Sequence, residues 1–172
     1  LKNVKPGKYQ TYVLHSDEGD WGDRISKLIV VHIDHLKDKH IWFNIPGEIG
    51  VDSGQAGIFS KETYRKDGMK IETPETIYDG TVFNLPITES GDDWYLTMCK
   101  MTSSNRKWGT YKNDVVSTPR SGDGGYDLFG CYSQDIADGK VKLTKENDEL
   151  IGLCVDYGLN IIEINRVLEM ED

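Results

Sequence analysis

The stretch LIVVHIDHLKDKHIWFNI, residues 28–45, decides how the fold is read. Its first part, Leu28 to His35, is β-branched and nearly continuously apolar, as in a central strand buried on both faces. LKDKH, residues 36–40, then offers a polar turn. IWFNI, Ile41 to Ile45, follows as a second strand that Pro46 and Gly47 should stop. Two strands joined by a short polar turn predict an antiparallel hairpin.

Working outward, a two-residue period appears upstream, where Tyr9, Thr11 and Val13 alternate with Gln10, Tyr12 and Leu14. SDEGDWGD, Ser16 to Asp23, has the composition of a turn. Downstream, GVDSGQAGIF holds two short strands, Ile49 to Asp52 and Ala56 to Phe59, around Ser53 and Gly54. Ser60 can cap a short helix that Gly68 ends. Pro74 and Pro86 break regular structure between Met69 and Thr88, leaving a strand at Thr81 to Leu85. In DWYLTMCKM, Trp94, Met98 and Met101 fit a helix, while Trp94, Leu96 and Met98 fit a strand; both stay open. Strands are expected at Tyr126 to Ser133 and Leu150 to Tyr157, with a hairpin turn at Asp138-Gly139 returning through Val141 to Thr144. Ile161 to Leu168 reads as a last strand or a short helix. The pattern as a whole predicts a β-rich α+β fold: mainly antiparallel sheet, sandwich- or barrel-like, with short helices, in a single domain over residues 1–172.

The chain has 172 residues, enough to bury roughly 70% of its unfolded surface without a disulfide or structural metal. Aromatic residues at 10% give a globular composition despite only 37% hydrophobic residues. A net charge of −9 argues against a broad nucleic-acid or anionic-membrane surface, since both need Lys and Arg. No apolar run approaches the roughly 18 residues a membrane helix needs, and no signal peptide is visible, although the first residue is Leu1. The cysteines Cys99, Cys131 and Cys154 are widely spaced, with no CxxC or Cys/His cluster, so no zinc site and no cofactor are expected. Their odd number favours a reducing compartment, and with it a cytoplasmic location.

Two glycine loops are the candidates for chemistry. Asp52-Ser53-Gly54 follows Gly50 as G-x-x-S-G, which fails the G-x-S-x-G spacing of a nucleophile elbow. A tight turn, with Gly54 at positive φ, accounts for it more simply. SGDGGYD, Ser121 to Asp127, lacks the Lys of a phosphate loop and the spacing of an EF-hand, although Asp123 and Asp127 could offer oxygens to calcium. Asp17, Asp20 and Asp23 recur around Trp21 and suit a solvated loop. His32 and His35 would face opposite sides of an extended strand, making them poor joint metal ligands. Cys99 and Cys131 suit core thiols, and the tryptophans suit core or interface anchors.

As a set, GDWGDRISKLIVVH, GVDSGQAGIF, DWYLTMC and VVSTPRSGDGGYDLFGCY with its following DGK resemble an uncharacterised family of small bacterial and phage-borne proteins. Members of that family show a WG.R segment, a VDSGQ-aGIfD segment, a WY…C segment and a closing SGyGDGsY hairpin. The likeness runs from Trp21 to Asp156. Ser60 stands where the family has Asp, which removes a carboxylate at that point. The resemblance implies a shared fold and shared loops, and no particular reaction. If both glycine loops belong to that common pattern, Asp52, Ser53, Asp123 and Tyr126 would line one cleft.

These residues predict a binding or interaction module without catalysis, with another protein as partner and neither nucleic acid nor membrane. Two alternatives stand beside it. One is a small hydrolase using Asp52, Ser53 and Asp123; the other is a calcium-stabilised structural domain.

Overall fold

The computed structural model describes residues 1–64, 77–78, 81–82, 92–111, 113–133, 136–137, 140–141 and 149–158. In chain order the strands are β1 (Tyr9–Asp17), β2 (Asp23–His32), β3 (Trp42–Val51), β4 (Ala56–Ile58), β5 (Ile77–Tyr78) and β6 (Thr81–Val82). A helix α1 (Asp92–Thr102) follows, then β7 (Trp108–Tyr111), β8 (Asp114–Ser117), β9 (Gly124–Tyr132), β10 (Ile136–Ala137), β11 (Lys140–Val141) and β12 (Leu150–Asp156). The molecule is thus β-rich, with antiparallel sheets and one α-helix among the described residues. A five-stranded sheet has the order β1-β2-β12-β9-β3, and a three-stranded sheet the order β4-β8-β7. Both sheets are open; neither closes into a barrel.

The chain divides into two compact units. The first comprises Leu1–Leu14, Ser26–Ile49 and Gly125–Asp172; the second comprises His15–Ile25 and Gly50–Gly124. The chain passes between them four times, each time inside the range of a strand: β1, β2, β3 and β9.

In the first unit the buried run of β2 lies beside β12, as a two-sided apolar strand should. Every position from Ile25 to His32 is buried, as is every position of β12. β12 pairs antiparallel with β2 through Cys154↔Ile29 and Val155↔Leu28, and with β9 through Cys154↔Phe129 and Val155↔Leu128. The core gathers Ile29, Val31, Trp42, Cys131, Ile151 and Cys154, flanked by Tyr12, Leu14, Leu36 and Phe129.

The expected hairpin between β2 and β3 does not form, because β12 and β9 lie between them. The connection explains why. β2 stops at His32, whose Nδ1 accepts the Asp34 N–H at 3.3 Å and opens a 3-10 turn over Ile33–His35. Three residues per turn place positions i and i+3 on one side. The rings of His32 and His35 therefore meet, with centroids 5.7 Å apart, rather than facing opposite ways. β3 also runs through Pro46 and Gly47 instead of stopping there. It is the edge strand, where a missing N–H breaks no ladder bond on the open side, and Gly47 takes φ 109°.

In the second unit α1 settles the ambiguity of DWYLTMCKM in favour of a helix. Met98 and Met101 are buried and Leu96 is 46% exposed, a pattern that a strand alternating at Leu96 and Met98 cannot give. Met98, Met101, Tyr111 and Val116 form this unit's core, with Phe59 and Trp94 packed against it. β8 pairs with both β4 and β7, Val116 lying opposite Gly57 and Gly109. Ser60 opens a turn, accepting the Glu62 N–H on its hydroxyl and the Thr63 and Tyr64 N–H groups on its carbonyl. The proposed end of that helix at Gly68, most of the strand expected at Thr81 to Leu85, the Asp138-Gly139 turn and the Ile161 to Leu168 element lie outside the described residues. β10 and β11 do pair antiparallel, Ala137 against Lys140.

Candidate functional site

The two glycine loops meet within the second unit. Asp123 Oδ1 accepts the Gly54 N–H at 2.7 Å. Gly54 has φ 66°, the left-handed turn conformation that glycine adopts without strain. The second loop is closed by a hydrogen bond from the Gly122 N–H to the Pro119 carbonyl at 3.0 Å, with Gly122 at φ 79°. Asp52, Ser53 and Asp123 are exposed. Next to them, Gln55 Nε2 donates to Cys99 Sγ at 3.1 Å, which ties the loop to α1. Tyr126 is placed differently: it belongs to the first unit, is buried, and packs edge-to-face on Tyr157 with ring centroids 5.2 Å apart. It therefore stands as a core aromatic.

The chemistry open to these loops is set by the groups around them. One Asp123 oxygen is committed to the backbone of the facing loop. The second unit contains one histidine, His15, whose Nδ1 lies 2.5 Å from Asp23 Oδ2. Among the described residues, no three His, Cys, Asp or Glu side chains converge as metal ligands.

Hydrogen bonds extend this face to a third loop, the turn between β1 and β2, whose composition suits a solvated loop. Arg120, one residue before Ser121-Gly122-Asp123, pairs with the Glu18 carboxylate in the turn between β1 and β2. Glu18 also accepts the Ser16 hydroxyl at 2.6 Å. That hydroxyl first, and Arg120 second, hold the Glu18 carboxyl below its usual range. The turn is closed by the Glu18 N–H donating to the Gly22 carbonyl at 3.1 Å and the Gly22 N–H donating to the Gly19 carbonyl at 2.9 Å. Asp17 Oδ1 accepts the Gly19 N–H at 3.0 Å. Arg24 Nε donates to the Trp21 carbonyl at 3.0 Å, and Lys107 Nζ to the Asp23 carbonyl at 2.6 Å.

This network organises a turn whose central side chain is exposed. Trp21 is 75% exposed, more than any other large hydrophobic residue of the described chain. Three cations bond these loops from the protein itself: Arg24 and Lys107 at backbone carbonyls, Arg120 at Glu18. The carboxylates of Asp17, Asp20, Asp23, Asp52 and Asp123 are exposed. Exposed carboxylates thus flank the presented indole in sequence, at Asp20 and Asp23.

Asp114 is the buried support for the opposite side of the β4 connection. Its Oδ1 accepts the Ser60 N–H at 2.8 Å and the Thr63 hydroxyl, and its Oδ2 accepts the Trp94 indole N–H at 3.2 Å. It is 3% exposed. Held this way, Phe59, Tyr64 and Trp94 pack as an aromatic trio with centroids 5.1 to 5.3 Å apart. Nothing local in the sequence marks Asp114 for this role, because each of its partners lies at least 20 residues away.

Compared with known protein families, with characterised proteins and with solved structures, the chain matches none.

Proposed function

We propose that this chain is a protein-binding module without catalysis of its own, and that its contact surface is the three-loop face around Trp21. The observation that carries the reading is the indole, 75% exposed on a turn held by backbone, carboxylate and guanidinium hydrogen bonds. Burying a large apolar side chain is worth about 1.5–3 kcal/mol, so a fixed, presented indole is a store of binding energy. Trp is enriched among the few residues that dominate interfaces, and a preorganised anchor loses little entropy on binding. Net charge −9 supports a protein partner over nucleic acid. No helix among the described residues is long and apolar enough to cross a membrane. Free thiols at Cys99, Cys131 and Cys154 support a reducing, cytoplasmic setting.

The test is capture of partners by the full chain, compared with a Trp21→Ala variant. An exposed substitution should leave the thermal midpoint nearly unchanged, within about ±0.5 kcal/mol of stability. Loss of an anchor should weaken a purified partner about 30-fold, or about 2 kcal/mol. Undiminished affinity for that partner in the variant would remove Trp21 from the function. The hydrolytic reading keeps one specific support, the Gly54–Asp123 bond that brings Asp52, Ser53 and Asp123 onto one loop pair. Turnover of an ester panel that is lost on Ser53→Ala would promote it.

A further inference from the structure

We infer that the Trp21 turn receives a cationic side chain, so that the partner presents a Lys- or Arg-bearing basic segment to this face. The inference rests on the reading of the three-loop face as the binding surface and names the chemistry that surface selects. An exposed indole alone would serve an apolar pocket or a cation equally well. The carboxylates decide between them. Asp20 adjoins Trp21 in sequence, and Asp23 follows two residues later; both are exposed. Among the described residues Asp20 has neither an ion pair nor a hydrogen bond. An apolar pocket closing on Trp21 would strip water from the Asp20 carboxylate with nothing in return, whereas Asp23 already has His15 as its partner. A guanidinium or ammonium group over the indole meets both needs at once. Trp is the best aromatic acceptor for a cation, and the attraction strengthens when the pair is desolvated. The protein's own cations do not compete for the place, since the Arg24 Nε and Lys107 Nζ contacts run to the carbonyls of Trp21 and Asp23. A second copy of the chain is a poor occupant, because each copy carries −9.

The experiment uses the full chain and three peptides of alternating Gly with Arg, Lys or citrulline; citrulline keeps the shape of Arg and removes its charge. The readout is the indole N–H resonance of Trp21, assigned by its disappearance in Trp21→Phe. The Arg and Lys peptides should move that resonance and bind roughly tenfold or more tightly than the citrulline peptide, a difference of about 1.4 kcal/mol. Their affinity should fall as salt rises from about 0.05 to about 0.5 M, and Asp20→Asn should weaken it without changing the melt. Equal binding of the citrulline peptide, or no movement of the Trp21 resonance with any of the three, overturns the inference. The two proposals fail separately. A purified partner lost in Trp21→Ala but indifferent to salt and to Asp20→Asn leaves the binding surface standing and removes its preference for cations. A partner retained by Trp21→Ala removes both.

Discussion

Burial lowers the pKa of the His40 imidazole. The ring is 7% exposed and its pKa is lowered, first by desolvation, against the opposing pull of the His35 backbone and the Asp38 carboxylate. Its Nε2 is buried and has no hydrogen-bond partner among the described residues, so a proton placed there would find no acceptor. Between the lowered folded value and the ordinary value of about 6.5, the unfolded chain binds more protons than the folded one. Stability from this group is therefore fully present above about pH 6.5 and is lost as pH falls toward the folded value. Replacing His40 by Gln should flatten that dependence, by at most about 1.4 kcal/mol per pH unit, in urea unfolding followed from neutral pH to about pH 5. An unchanged pH profile in His40→Gln would assign the slope to other groups. The sequence shows three histidines within nine residues, but not that a 3-10 turn brings His32 and His35 together. That depended on where β2 stopped, and a continuous apolar run contains no stop signal. Trp21 was visible in the same partial way: its turn could be read from Gly and Asp, whereas the bonds that Arg120 and Lys107 make to the turn come from residues distant in sequence.

At the scale of elements, β2 and β12 carry both what was legible and what was not. Their apolar runs identify them as buried strands, and the structure buries both throughout from Ile25 and from Leu150. Which strand lies beside which is a matter of long-range register. The local polar turn pointed to β3 as the partner of β2, whereas β12 takes that place. Within this pair lies a charge that no local pattern announces. Lys27, fully buried, stands opposite Asp156, with Nζ 2.6 Å from Oδ2; Asp156 Oδ1 also accepts the Gly158 N–H at 2.9 Å. Two ions removed from water gain from each other roughly what they lose in hydration, so the pair adds little net stability, while either member alone is costly. Lys27→Ala should therefore destabilise by about 3–5 kcal/mol, and the double change Lys27→Met with Asp156→Leu should restore most of that loss. Urea unfolding of Lys27→Met, of Asp156→Leu and of the double variant measures this as a coupling energy. Purely additive losses would show that the ions do not depend on each other.

At the scale of the whole molecule, the two units interleave along the chain, so no linear segment of sequence corresponds to either. This is why composition and breaker residues offered no boundary: every passage occurs inside a strand, where the sequence looks its most regular. The glycine loops could be paired from sequence because they share one chemistry, and Asp123 does bond Gly54, both within the second unit. The common loop pattern implies that Tyr126, in the same glycine segment as Asp123, lines the cleft with them, but it falls on the far side of a passage between units. The thiols follow the same division and give each unit its own reporter. Cys131 and Cys154 lie in the first unit; Cys99 lies in the second. Burial pushes the Cys131 thiol up to about 11 and raises that of Cys154 as well, so neither yields much thiolate near neutral pH. Cys99 is half-buried, on the helix face that meets Gln55. Labelling with a disulfide reagent at about pH 8, near the ordinary thiol value, should therefore modify Cys99 quickly and the other two only through opening of the first unit. Lys27→Ala lies in that unit, and a loss of about 3 kcal/mol there should speed labelling of Cys131 and Cys154 by about two orders of magnitude. Fast labelling of all three in the unmodified protein would mean that the β2–β12 ladder opens far more readily than its burial implies.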